Sequence, residues 1–481
     1  MERSETTVTF IKNYSIWIIG ALFILLVGFS VAFEHYILAA VPFALLFVVW
    51  SFFHLNSLIL FAVAITPLSV TLKDSMFNLG VSLPTEPIFI GISFFLLLRF
   101  LQNGKLPWEL LKHPVAIVLL AQLGWMGFVI FTSEMPLVSV KSWISRVWFI
   151  VPLFFAMSNV FESKAARKQF FLFYTVSLAI SCLYTLYVHS QFDFSKQTST
   201  WVMFPFYKEH TAYGMALAFV FPFAIYQAFK KQKLTSSILS YGLLGLLTIA
   251  TVFSYSRASW LSIIASFGVY ALIRLKVNLK YFFFGLFMFV GTLYVTQEHW
   301  VRVFTKNDTV SSDNFSEHIQ SISNISSDAS NLERINRWMS AIRMFQSRPT
   351  TGWGPGTYQF QYAPFQHSSE MTVISTNSGN GGNAHSEYIG LLAEQGWPGL
   401  FLMLIYLVVL FNTGFRVVNR LPYGVDRSIA LCSLMGLVTY FVHGVLNNFL
   451  DMDKAAVLVW GSSALLVFLD LKLKKDFSVF K

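Results

Sequence analysis

Long apolar runs alternate with short polar connections along most of the 481-residue chain. Fourteen runs are apolar enough to form membrane helices, which need about 20 residues to cross the hydrocarbon core. They lie at residues 13–31, 36–52, 54–72, 86–101, 113–133, 142–161, 168–190, 211–229, 236–256, 258–275, 279–297, 398–415, 427–448 and 454–470. The second and third runs are short, so an alternative interpretation is that they form half-helices or a re-entrant pair. The pattern predicts an all-α polytopic membrane protein with about 12–14 transmembrane helices.

One long polar stretch interrupts this pattern. The segment from His299 to His385 is too long for a simple connection, so we expect a small, mostly helical domain on one membrane face. Residues 332–347 have the spacing of an amphipathic helix. The apolar residues expected to share one face of it are Ile335, Trp338, Met339, Ile342 and Phe345. The predicted organisation is a transmembrane bundle at 1–297, a loop domain at 298–397, and transmembrane helices with a tail at 398–481.

The composition excludes a soluble globular protein of this size. Hydrophobic residues make up 55% of the chain and charged residues 12%, which leaves too little polar surface. The only cysteines, Cys182 and Cys432, lie in apolar runs, so no disulfide framework or cysteine metal site is expected within the chain. The net charge of +10 would suit a nucleic-acid partner. The positions of the basic residues follow the membrane pattern instead, so no nucleic-acid binding is predicted.

Basic residues are concentrated in alternate connections between the apolar runs. These clusters are Arg99, Lys105 and Lys112; Lys164, Arg167 and Lys168; Lys230, Lys231 and Lys233; Arg274, Lys276 and Lys280; Arg416, Arg420 and Arg427; and Lys472, Lys474 and Lys475. The positive-inside rule makes these connections and both termini cytoplasmic. The long polar stretch is then predicted to lie outside, together with the helix ends that carry Arg146, Lys208, His210 and Arg257.

Arg257 lies where two apolar runs almost meet, in the segment Tyr255-Ser-Arg-Ala-Ser-Trp260. A charged side chain there must stay at the interface or point into a protein cavity. One interpretation is an interfacial anchor. The other is an anion ligand, because the planar guanidinium matches the oxygens of a phosphate group.

A second arginine site comes just before a glycine-rich turn. Arg334 and Arg337 are neighbours on the predicted amphipathic helix. One interpretation is that they bind an anion, and the other is that they belong to a solvated helix face. Residues 349–358 contain three glycines in five residues, which lets the backbone approach another element or a ligand. The run is not a nucleotide-binding P-loop, because no Gly-Lys-Ser/Thr sequence follows.

His385 follows a second glycine-rich turn, Asn380-Gly-Gly-Asn-Ala-His385, and lies close to a predicted helix N-terminus, which favours anions. A structural role as a cap or a polar core residue is the alternative. Arg146, Lys208 and His210 are candidate contacts to phosphate or sugar, and the alternative is that they are ordinary interface residues.

Two further outer groups lie near the C-terminus. His443 and Asn447 are spaced to share a helix face. Asp451 and Asp453 could bind a divalent metal, but Lys454 offers an ion-pair partner and two carboxylates alone make a poor site. No metal is therefore expected. The aromatic residues Trp353, Tyr358, Phe360 and Tyr362 are candidates for packing against sugar rings or, alternatively, core residues.

Taken together, these motifs resemble a known family. Ala384-His-Ser-Glu-Tyr-Ile-Gly-Leu-Leu-Ala-Glu-Gln-Gly-Trp-Pro-Gly-Leu400 is similar to the Ala-His-Asn-x-Tyr-Leu…Glu-x-Gly-x-x-Gly signature of the O-antigen ligase and O-antigen polymerase superfamily. The Arg334-x-x-x-Trp338 segment with its glycine turn, and Ser256-Arg257, resemble the two arginine motifs of that family in the expected order. Ser386 departs from the pattern, where Asn is common, and still supplies a hydrogen-bonding group.

The resemblance implies a membrane glycosyltransferase of the bacterial inner membrane. Its donor would be a glycan on an undecaprenyl-diphosphate carrier, used on the periplasmic face without a cofactor or metal. The resemblance assigns Arg257 and Arg334 to the diphosphate and His385 to the acceptor. A ligase that uses the lipid A core as acceptor is the leading expectation.

Other functions remain open at this point. A repeat-unit polymerase or a protein O-oligosaccharyltransferase would use the same donor with another acceptor. A flippase or exporter without catalysis would favour paired basic residues deep inside several spans, whereas the charges here gather at one face.

Overall fold

The computed structural model describes residues 20–276 and 329–478, except residues 22, 26, 31, 34–35, 74–79, 105, 372–374 and 380. The predicted apolar run at 279–297 lies outside the described residues, and the run at 13–31 lies partly outside them. The long helices within the described residues are α1 (Tyr36–Ile65), α2 (Thr85–Asn103), α3 (Pro114–Val129), α4 (Pro136–Ile150), α5 (Lys164–Ser190), α6 (His210–Phe229), α7 (Leu234–Phe253), α8 (Arg257–Arg274), α9 (Ala329–Ser347), α10 (Glu387–Arg420), α11 (Val425–His443) and α12 (Asp453–Ser478).

The described part of the chain contains ten helices that are long and apolar enough to cross a membrane. Their apolar segments are Leu45–Leu68, Thr85–Asn103, Pro114–Thr132, Pro136–Val160, Lys164–Ser190, His210–Phe229, Leu234–Phe253, Glu387–Arg420, Val425–His443 and Asp453–Lys475. The protein is therefore an all-α polytopic membrane protein, as the sequence predicts. α8 was also predicted as a span; it has an arginine at each end and is not one of these ten.

The second and third apolar runs join in the single helix α1. The helix is interrupted at His54, whose φ and ψ of −144° and 51° are not helical. This break lies at the predicted gap between the two runs. The sequence therefore predicted the position of the interruption, but it did not predict that the two runs form one helix.

Three helices form the centre of the bundle. In α6, α11 and α12, 78%, 67% and 83% of the apolar segment is buried, whereas in α7 only 17% is buried. Small residues allow the central helices to approach closely. At Gly436 of α11, for example, an added Cβ would lie 2.6 Å from the ring of Phe219 on α6.

A short hairpin lies against the beginning of α12. Strands β1 (Val70–Lys73) and β2 (Gly80–Leu83) pair antiparallel. Just outside the hairpin, Thr85 Oγ1 donates to Asp453 Oδ2 at 2.6 Å, and Lys454 Nζ donates to Ser69 Oγ at 2.6 Å. These buried contacts attach both ends of the hairpin to one helix.

The glycine-rich segment 349–358 packs between two parts of the protein. Gly352, Gly354 and Gly356 have φ of +65°, +114° and +75°. The N–H of Gly354 donates to the Glu394 carbonyl at 2.9 Å, and a Cβ at Gly354 would overlap with Ser133. The close approach predicted from the glycines is therefore an approach to other protein segments.

α10 combines two predicted helices. It is bent at Gly396, which has φ +67° and ψ −171°, directly beside the Thr350 carbonyl. The bend separates the predicted helix that follows His385 from the predicted span at 398–415.

The amphipathic helix is present as α9, but its buried side is not the predicted apolar face. Ile335 and Met339 are 36% and 37% exposed. The buried residues follow a helical spacing and are mostly polar: Glu333, Asn336, Arg337, Ser340, Ala341 and Met344. The polar side is buried because its residues take part in a hydrogen-bonded network beneath the helix.

Candidate active site

Three helix ends meet around a group of buried polar residues. α6 begins at His210, α8 begins at Arg257 and α11 ends at His443. Ser259 Oγ donates to Ser256 Oγ at 2.8 Å and lies 3.4 Å from His443 Nε2. The start of α8 is thereby linked to the end of α11.

Two further contacts fix this arrangement. An added Cβ at Gly214 of α6 would overlap with the side chain of Ser259, so the start of α8 packs closely against α6 at this point. Asn447 lies beyond the end of α11 at His443, so the two residues do not share a helix face as predicted, but Asn447 Nδ2 still lies 3.3 Å from His443 Nδ1.

α9 brings Arg334 to these helix ends. The positive charge of Arg334 acts on Glu209, His210 and His443, and that of Arg257 also acts on His210. Burial raises the pKa of Glu209, and the charge of Arg334 opposes this rise. The two arginine motifs are therefore close to the same polar residues, although they are far apart in the sequence.

His385 belongs to the same group, on the turn that leads into α10. Its φ is +50°, which is uncommon for a residue other than glycine. Its N–H donates to Asn383 Oδ1 at 3.0 Å, and its carbonyl accepts from Trp338 Nε1 at 3.3 Å. Ser386 caps α10 by accepting from the N–H of Ile389 at 3.4 Å. The backbone on both sides of the histidine is thus held in place.

The surroundings of His385 keep its imidazole uncharged. Burial, followed by the positive charges of Arg337 and Arg334, lowers the pKa of His385 to about 3. At neutral pH one ring nitrogen therefore keeps its lone pair and can accept a proton or a hydrogen bond.

Arg337 binds the turn that carries His385. Its Nε donates to Glu333 Oε1 at 2.9 Å, and its Nη1 donates to the Asn383 carbonyl at 3.0 Å. A Cβ at Gly382 would overlap with this guanidinium, so a larger residue there would displace it. The backbone carbonyl of Arg337 accepts from Tyr358 Oη at 2.8 Å. These bonds favour a supporting role over the predicted substrate contact.

Residues 242–404 match the family model described as O-Antigen ligase. We name residues 242–404 the O-antigen ligase domain after the family model to which they are similar. The match confirms the family inferred from the motifs, and the family is one of glycosyltransferase-type enzymes whose substrates are lipid-linked glycans in a membrane. No curated protein matches the chain. Arg257, Arg334 and His385 lie within the O-antigen ligase domain, whereas Arg146, Lys208 and His210 precede it.

Glu387 is a central residue of the domain that the sequence motifs did not reveal. Its Oε1 accepts from Tyr440 Oη at 2.5 Å and from the N–H groups of Phe449 and Leu450 at 2.7 and 2.8 Å. A glutamate in the first turn of a helix is common because its negative charge interacts favourably with the helix dipole. Here it connects the start of α10 to the segment after α11, only two residues from His385.

Lys208 and Arg146 lie at the edges of the site. Lys208 is exposed, and its Nζ is near Gly80 of the hairpin. Arg146 forms an ion pair with Asp451 at 2.5 Å, and its charge also acts on Glu387. The structure therefore brings Arg257, Arg334, His210 and His385 together, while Arg146 belongs to a neighbouring cluster.

Both carboxylates of the Asp451-x-Asp453 pair are engaged in ion pairs. Asp451 binds Arg146, whereas Asp453 is fully buried and lies 3.2 Å from Lys454 Nζ. The ion pair between Asp453 and Lys454 is the one expected from the sequence. The two carboxylates therefore serve different contacts and do not converge as a chelating pair would.

The aromatic residues proposed to pack against sugars have different surroundings. Tyr358 and Tyr362 are 2% and 1% exposed and stack on each other with a centroid distance of 5.2 Å. Both are core residues of the O-antigen ligase domain, which is the alternative that the sequence left open for them. Phe360 is 50% exposed.

Proposed function

We propose that the protein transfers a glycan from an undecaprenyl-diphosphate-type carrier to an acceptor hydroxyl, with inversion and without a metal. The observation that carries the proposal is that Arg257 and Arg334, from separate helices, both act on His210. The charge of Arg334 also acts on His385. Two guanidinium groups and one neutral imidazole are a suitable set for a diphosphate leaving group and an attacking hydroxyl.

The arginines would stabilise the charge that develops on the leaving group. The acceptor oxygen attacks the anomeric carbon, and the bond from that carbon to the diphosphate oxygen breaks with its electron pair going to the diphosphate. Preorganised donors at the site of developing charge lower the barrier most effectively in a buried environment. Forked guanidinium donors also hold the phosphate oxygens in a fixed orientation.

His385 would accept the proton of the attacking hydroxyl or orient that hydroxyl. Its low pKa in the free protein keeps it unprotonated before the donor binds. A bound diphosphate would offset the charges of Arg334 and Arg337, and the pKa of His385 would then rise toward the range of an effective base.

The remaining predicted residues receive supporting roles in this proposal. His210 contacts the donor between the two arginines, and Lys208 adds positive charge at the edge of the site. Arg337 holds the turn of His385 in position. Arg146 remains the candidate for the acceptor side, where its partner Asp451 is 51% exposed.

The site is proposed to lie on the periplasmic face of the bacterial inner membrane, with both termini in the cytoplasm. The lipid A core is the leading acceptor, and a second lipid-linked glycan or a protein hydroxyl are the alternatives. The glycans of a deletion strain distinguish these cases. A missing ligase leaves polymer on the carrier, a missing polymerase leaves single repeat units, and a missing protein transferase leaves unmodified protein.

Arg→Lys variants test the role of the arginines. With purified protein and a lipid-diphosphate glycan, Arg257→Lys and Arg334→Lys should bind the donor weakly and turn over slowly, because lysine keeps the charge but loses the fork. Arg420→Lys, at an exposed position at the other end of α10, is the matched control. Near-normal turnover of both test variants would refute the proposal.

A further inference from the structure

A cavity lined by lysines and apolar residues lies at the opposite end of the bundle from the candidate active site. α6 begins at the site with His210 and ends at Phe229 beside this cavity, and α11 runs back from Val425 at the cavity to His443 at the site. Helices of about 20 residues separate the two by about 30 Å. The cavity has a volume of about 580 Å³ and opens to the surface.

Four lysines line this cavity. Lys168, Lys230 and Lys472 are half-buried, and Lys164 is exposed. The charges of Lys168 and Lys230 act on each other. Like charges that share a partly desolvated cavity repel, so the arrangement is unfavourable unless an anion is bound between them.

The protein itself supplies little negative charge to balance these lysines. Within the described residues, no carboxylate forms an ion pair with any of the four. The one acidic residue in the lining, Asp426, pairs with the buried Arg167. The cavity therefore has an excess of positive charge that its own walls do not neutralise.

The rest of the lining is apolar. Leu421, Val425, Leu469 and Leu473 contribute to the wall. Phe229, next to Lys230 in the chain, is 71% exposed. A ligand with an anionic group and attached hydrocarbon fits this combination better than a free ion does.

We propose that this cavity binds the phosphate head group of an anionic membrane phospholipid. The lysines would contact the phosphate, and the acyl chains would lie along the apolar surface that begins at Phe229. Basic pockets between membrane helices bind anionic head groups in this way. The predicted topology puts the cavity on the cytoplasmic face.

Lipid titration of the full-length protein in detergent tests this site. Phosphatidylglycerol and phosphatidylcholine are added in parallel, and bound lipid is counted by native mass spectrometry. The wild-type protein should retain phosphatidylglycerol selectively. Lys168→Gln/Lys230→Gln should weaken that binding roughly thirtyfold, and Lys472→Gln alone roughly fivefold, at about 1 kcal/mol for each lysine.

The chain offers a closely matched control. Lys231→Gln/Lys233→Gln removes the same amount of charge, from the connection that contains Lys230, but both lysines are exposed and outside the cavity lining. Its lipid binding should stay close to that of the wild type. Thermal unfolding of each variant shows whether the protein is intact, and Lys472→Gln supplies a second, milder test if the double variant unfolds.

Three results would overturn the proposal. One is equal retention of phosphatidylcholine and phosphatidylglycerol. Another is an equal loss of binding in the cavity variants and the control, which would indicate a general surface charge effect. The third is displacement of the lipid by inorganic phosphate at equal concentration, which would identify a free phosphate site instead.

Discussion

Arg337 Nε lies 2.9 Å from Glu333 Oε1, one helical turn earlier on α9, and both side chains are almost fully buried. The charges of both arginines act on His385, but only that of Arg334, on the same helix, also acts on His210 and His443. Two arginines three positions apart therefore have different surroundings, one inside the protein network and one at the candidate site.

The first prediction concerns this ion pair. Glu333→Gln leaves the Arg337 charge buried without its partner, so the free energy of unfolding should fall by about 3–5 kcal/mol. Thermal unfolding of the purified protein measures the effect. Arg343, also on α9, forms a more exposed ion pair with Glu370. Glu370→Gln should therefore lower the free energy of unfolding much less. Equal losses in the two variants would contradict the assignment.

The second prediction separates His385 from the arginines. His385→Ala should lower turnover by roughly two to four orders of magnitude if the histidine acts as a general base, and by less if it only orients the hydroxyl. Donor binding should be largely retained, because both proposed diphosphate ligands remain. His367→Ala, at an exposed histidine, is the control. A loss of donor binding as severe as in the arginine variants would show that the roles are wrongly assigned.

The third prediction concerns pH. The pKa of His385 is lowered to about 3 in the free protein, so the ring gains its proton only as the pH falls toward that value. Protonation of His385 should therefore not reduce kcat/KM between roughly pH 5 and pH 8. The pH profile of the wild type, with donor binding measured across the same range, checks this. A decline in kcat/KM centred near pH 6.5 that is absent from His385→Ala would disprove it.

The fourth prediction concerns metals. Chelators should leave turnover unchanged, because Asp451 and Asp453 are each held by a cation of the protein. Asp453→Asn should instead lower thermal stability, by about 3–5 kcal/mol, since it leaves Lys454 buried without its carboxylate. Recovery of turnover when Mg²⁺ or Mn²⁺ is added to the chelator-treated enzyme would instead support a metal site.

The fifth prediction concerns topology. Reporter tags at Lys481 and Lys231 should indicate the cytoplasm, and a tag at Asn314 should indicate the outside. A cytoplasmic signal from Asn314 would reverse the predicted orientation and place the candidate site on the wrong face for a periplasmic transferase.

Hydrophobic runs and local motifs were enough to predict most of the helices and the principal candidate residues. The helix starts at His210 and Arg257 are within a residue of the predicted ones, because a polar segment ends each apolar run. Arg334 and His385 were identified from their motifs, and the structure brings them close together.

The errors came from contacts between residues distant in sequence. Periodicity predicted an apolar face on α9 but not the burial of Glu333, Asn336 and Arg337. These residues are buried because their partners come from segments tens of residues away. Glu387 was missed for the same reason, since its partners Tyr440, Phe449 and Leu450 lie more than fifty residues later. No local pattern contains that information.

The low burial of α7 has a kinetic consequence. α7 ends only a few residues before Arg257, and most of its surface is not covered by the rest of the described protein. If the donor is the proposed lipid-linked glycan, its isoprenoid carrier would reach Arg257 by two-dimensional diffusion within the bilayer. The rate should then depend on the mole fraction of the donor among the lipids, so diluting the membrane with inert lipid at constant bulk donor concentration should slow the enzyme.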